Sequence, residues 1–122
     1  MAKIRDLTFT QLQTALTGMG LTNAFVVQGG KVMLDVSALV GETVDSLDDS
    51  NVLEVMYLLR KAGGIAQITV NEGTAIADQM TAFPAFSYGA IEVVDGQPFI
   101  PVITTSEFQI RVDESKVFGS NT

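Results

Sequence analysis

The sequence predicts an α+β fold: two short helices, a β-hairpin and a C-terminal antiparallel meander, with a single layer of sheet packed on the second helix. Three features predict it. A capping-box pair opens a helically spaced apolar run at Thr8, Gly29-Gly30 separates two strand-like segments, and Asp95-Gly96 marks a turn in a β-rich final third. The order of helix, hairpin, helix, strand, loop and meander lacks the regular alternation of a parallel α/β sheet. At 122 residues, with no linker rich in Pro, Ser or charge, the chain reads as one domain over residues 1–122, with a frayed tail at 118–122.

Each element follows from its residues. Thr8 and Gln11 stand at capping-box spacing, and Leu12, Ala15, Leu16 and Met19 recur at helical spacing before Gly18 and Gly20, predicting a helix over 8–17. Residues 24–28 and 31–36 flank Gly29-Gly30, whose tolerance of positive φ suits a two-residue primed turn. Asp45, Asp48, Asp49 and Ser50 offer N-caps for a second helix over 52–61, and Gly63-Gly64 provides its stop. Apolar residues cover most of that helix's circumference and leave a narrow stripe of Glu54, Tyr57 and Lys61, so it must be buried on most sides. Ala66, Ile68 and Val70 alternate with Gln67 and Thr69, the period of a half-buried strand. Residues 71–88 read as a long functional or interfacial loop. The meander follows at 91–94, 99–104 and 108–112, with Pro98 and Pro101 placing the middle element at an edge or shortening it.

Composition excludes whole classes of chemistry. Seven Lys and Arg against fourteen Asp and Glu give a net charge of −7, unsuited to a phosphate-binding surface, so no nucleic acid partner is expected. With no Cys, no His and no Trp, thiol nucleophiles, disulfides, imidazole bases and Ser-His-Asp triads are absent. No run approaches the roughly 18 consecutive apolar residues of a spanning helix, and polar residues interrupt the N-terminal stretch where a signal peptide would be apolar. The expectation is a soluble, cytoplasmic protein without a membrane partner.

The remaining candidates are few. Asp45, Asp48 and Asp49 are candidate oxygen ligands for a hard cation, but their spacing departs from an EF-hand loop and helix capping accounts for the same residues, so no metal is expected. Gly29-Gly30-Lys31 and Lys61-Ala62-Gly63-Gly64 lack phosphate-loop spacing. Glu54 and Glu92 sit among apolar neighbours, where desolvation raises a carboxyl pKa, yet ion pairing and solvent account for both. Met80, Phe83, Phe86 and Tyr88 crowd around Pro84 and form a candidate interface.

The leading expectation is a non-enzymatic structural or interaction protein that self-associates through apolar surfaces as a homo-oligomer or a subunit of a larger particle, without cofactors. The alternative is a small-ligand-binding domain or carboxylate-dependent enzyme, with a pocket between meander and second helix that uses Glu54, Tyr57 and Tyr88.

Overall fold

The computed structural model describes residues 3–105. Within them the chain is α+β, with three helices and small antiparallel sheets. Helix α1 is Phe9–Gly18, β1 is Phe25–Gln28, β2 is Lys31–Leu34, α2 is Val36–Val40 and α3 is Val52–Asn71. A 3-10 turn at Ile76–Asp78 precedes β3 (Ser87–Tyr88), β4 (Glu92–Val94), β5 (Gln97–Phe99) and β6 (Val102–Ile103). The expected strand at 108–112 and the tail at 118–122 lie outside the described residues.

Helix α1 starts where the sequence placed it. The Thr8 side chain accepts from the Gln11 amide at 3.1 Å, and the Gln11 side chain accepts from the Thr8 amide at 2.8 Å, so two otherwise orphaned donors are satisfied. The hairpin also forms, pairing Phe25 with Leu34 and Gln28 with Lys31 across Gly29 and Gly30, both at positive φ. Its second strand is shorter than residues 31–36. Asp35 closes the hairpin, its amide donating to the Ala24 carbonyl at 2.7 Å, and its carboxylate accepts from the Ala38 amide at 3.1 Å and so caps α2, a helix the sequence reading missed.

Helix α3 departs most from expectation. It does not stop at Gly63-Gly64 but runs through both to Asn71, and the segment 66–70 is helical rather than a strand. Five alternating residues fit either period. In the helix Ala66 is buried against α1, while Gln67 and Asn71, one turn apart, hold the following loop. Tertiary packing outweighs the roughly 1 kcal/mol that each helical glycine costs relative to alanine. The acids before α3 do not cap it either. Its N-cap is Asn51, with no side-chain cap bond, and the Asp49 carboxylate accepts instead from the amides of Asp45 and Ser46, both at 3.1 Å.

The core is small and built from small residues. Ala15, Leu16, Ala24, Leu39, Ala62 and Ala66 form one buried cluster where α1, the hairpin, α2 and α3 converge. The alanines let the α1 and α3 backbones approach closely, and Leu12, Phe25, Leu34, Val55 and Leu58 border the cluster. Helix α3 thus packs against strands as well as helices, since Phe25 and Leu34 belong to the hairpin and Tyr88 of β3 meets Tyr57.

Beyond the core, strands β3 to β6 make an arm. Ser87 pairs with Ile103 and Tyr88 with Val102, and inside that pair Glu92 faces Phe99 and Val94 faces Gln97. The turn is the expected Asp95-Gly96, with φ of 52° and 77°. Every residue from 91 to 105 is exposed.

Candidate functional site

The loop between α3 and β3 is positioned by two side-chain amides. Asn71 Nδ2 donates to the Met80 carbonyl at 2.9 Å while its Oδ1 accepts from the Met80 amide at 2.8 Å. Gln67 treats Phe83 the same way, at 3.1 and 2.9 Å. An amide carries donor and acceptor side by side, so each clamp satisfies both backbone groups of one loop residue, as a neighbouring strand would. The sequence reading assigned neither residue a role. Their spacing of four, which puts two amides on one helix face, was the available signal.

The clamps decide where the expected interface residues go. Met80 is 4% exposed and belongs to the protein's own interior. Phe83 is half-buried with its ring against Gly63, and a β-carbon there would lie 2.5 Å from the ring. The Arg60 guanidinium lies over the same ring, 5.9 Å from its centroid. Half of the expected patch therefore docks onto the chain itself.

Phe86 and Tyr88 do come together with Tyr57 on the outer face of α3. Phe86 stacks on Tyr57 with centroids 5.3 Å apart and meets Tyr88 edge-on at 6.4 Å. The two phenolic oxygens are 3.3 Å apart, and Lys61 Nζ lies 5.9 Å from the Tyr57 ring centroid. That hydrogen bond, with a smaller contribution from desolvation, raises the Tyr88 pKa above its ordinary value of 10.0, and Lys61 opposes the shift. A phenol held protonated in this way donates hydrogen bonds near neutral pH and is a poor base.

Glu54, the third residue of the expected polar site, is exposed and accepts from Asn51 Nδ2 at 3.4 Å. The nearby groove of about 400 Å³ lies between α3 and the 83–86 loop and is bordered by Lys61, Ile65, Ile68 and Pro84 rather than by Glu54, Tyr57 or Tyr88. Among the described residues no three carboxylates are grouped to hold a metal ion, and the Asp49 carboxylate is already engaged by backbone amides.

The dominant surface feature is apolar. Among the described residues nineteen large hydrophobic side chains are exposed, against three that are buried, Leu16, Leu39 and Met80. They concentrate in three places. Val52, Leu53 and Met56 line the first turn of α3, at 67%, 83% and 55% exposure. Phe9, Val27 and Val32 border a groove of about 430 Å³ between α1 and the hairpin. Ile91, Val93, Val94, Phe99, Ile100, Val102 and Ile103 stud the arm. Surface apolar residues scattered singly are ordinary, but here they gather in these three stretches.

No protein-family model, curated protein or solved structure matches the chain. Among the described residues, no helix is long and apolar enough to cross a membrane.

Proposed function

We propose that this protein is a non-enzymatic structural component that self-associates through its apolar surfaces, as a homo-oligomer or a repeated subunit of a larger particle. The excess of exposed over buried large hydrophobic side chains carries this reading. A two-stranded ribbon is at best marginally stable alone in water, and the arm has no core of its own, so burial against another chain is what stabilises it. Assembly also serves the start of α3, where Val52, Leu53 and Met56 are exposed among the described residues.

Size-exclusion chromatography with light scattering tests the reading. The expected result is a mass that is a multiple of 13.0 kDa at micromolar concentration. A strict monomer that retains its helical circular dichroism overturns it. Particle membership is tested by electron microscopy of concentrated protein, where rings or filaments are the expected images.

A further inference from the structure

Resting on the self-association reading, we propose that the contact is heterologous: the β3–β6 arm of one copy docks in the groove between α1 and the β1–β2 hairpin of a second copy. The two surfaces are complementary in chemistry. Between residues 85 and 105 the only charged side chains are Glu92 and Asp95, so the arm is apolar and purely acidic. Between residues 7 and 34 the only charged side chain is Lys31, beside the groove on the hairpin. In a chain with a net charge of −7, a docking site for an acidic arm must be free of carboxylates, and α1 with the hairpin supplies one.

Shape and area agree with the charge. The groove, about 430 Å³, is bordered by Phe9, Phe25, Val27 and Val32 and is large enough for one or two of the arm's side chains. Among the described residues the hairpin is a two-stranded sheet; the Phe25 amide on the β1 edge is taken by Gln13 at 2.7 Å, so the β2 edge is the one onto which an arm strand can add through main-chain hydrogen bonds. The apolar arm residues, 39–71% exposed, alternate between the two faces of the ribbon and present on the order of 700 Å² in all, about half of it on the face turned to the groove, the size of a small reversible contact. The groove beside Arg60 and Lys61 is the rival site, but those cations already lie over the Phe83 and Tyr57 rings of their own chain. Because arm and groove are different patches, every copy carries one of each, and repetition closes a ring or extends a filament.

Two exposed substitutions separate the partners: Phe99→Ser on the arm and Val27→Ser in the groove. Each alone is expected to weaken association at least tenfold, while an equimolar mixture forms one-to-one pairs through the single contact in which both surfaces are intact. The charge pair provides a second route. Lys31→Glu is expected to weaken association about fivefold, and adding Glu92→Lys to the same chain to restore it. Carbodiimide cross-linking of isotopically mixed chains should join Glu92 or Asp95 of one chain to Lys31 of another. Oligomers that survive both serine substitutions, variants that do not complement on mixing, or cross-links from the arm to Lys61 overturn the arm-and-groove contact while leaving self-association standing. A monomeric unsubstituted protein overturns both.

Discussion

Gly63 and Gly64 are adjacent in the middle of α3, yet replacing each by alanine is expected to change stability in opposite directions. In an ordinary helix interior either substitution gains about 0.8–1.0 kcal/mol from propensity. At Gly64 the new methyl finds its nearest neighbour at 3.8 Å, the Phe83 carbonyl oxygen, which is ordinary van der Waals contact, so nearly the full gain is expected. At Gly63 it meets three carbons of the Phe83 ring at 2.5, 2.6 and 2.9 Å. Relief needs a displacement on the order of 1 Å, because carbons rest at about 3.5–4.0 Å. Gln67 holds the Phe83 backbone on both sides, so the displacement has to come from rotation of the ring about its own side-chain bonds, away from its contact with the helix. Overpacking of this kind costs roughly 1–3 kcal/mol, so Gly63→Ala is expected to destabilise by up to about 2 kcal/mol net of propensity. Urea unfolding followed by circular dichroism at fixed protein concentration measures both variants. In a Phe83→Ala background the steric cost disappears and Gly63→Ala should stabilise. Equal stabilisation by Gly63→Ala and Gly64→Ala in the unsubstituted background would refute the placement of Phe83 on the helix.

Two further outcomes follow from the same elements. Gln67→Ala leaves the amide and carbonyl of Phe83 without their partner and is expected to cost about 1–3 kcal/mol in urea unfolding, with loss of hydrogen-exchange protection at the Phe83 amide; an unchanged exchange rate would count against the clamp. The chain has two tyrosines and no tryptophan, so tyrosinate absorbance reports the aromatic cluster cleanly. Tyr88 should ionise above pH 10, and Tyr57→Phe should bring it back towards 10.0 by removing the hydrogen bond. Since the folded-state pKa is the raised one, the stability that Tyr88 contributes is complete below pH 10 and is lost as pH rises through the folded-state value. A Tyr88 ionisation that Tyr57→Phe leaves unmoved would contradict the pairing.

The elements read correctly from the sequence are those fixed by chemistry within a few residues. Thr8 and Gln11 meet across one helical turn, and Gly29-Gly30 and Asp95-Gly96 supply the backbone conformations their turns require, whatever the rest of the chain does. The errors share a different origin. Asp35 was read as the end of a strand because its capping role depends on α2, a helix of five residues with no periodic signal of its own. Gly63-Gly64 carried the local signature of a helix stop, and what rewards continuation lies far off in sequence: the core that buries Ala66, and the loop held by Gln67 and Asn71 whose Phe83 ring packs on Gly63.

The candidate site divides along the same line. Tyr57 and Tyr88 were named together with Glu54 as polar contacts of one pocket; the two tyrosines do meet while Glu54 lies apart, and their contact depends on the path of the loop, which Gln67 and Asn71 hold. Met80, Phe83, Phe86 and Tyr88 form one apolar run in the sequence, yet the fold buries Met80, half-buries Phe83 against Gly63 and Phe86 on Tyr57, and leaves Tyr88 exposed.

By itself the sequence determined the α+β class, the capped first helix, the two primed turns and the excluded chemistries, because propensity, capping and composition act locally or not through structure at all. Only the tertiary structure decided that α3 continues through two glycines and which apolar residues remain uncovered. Both outcomes depend on contacts between residues far apart in the chain, whose free energies exceed the local preferences they override.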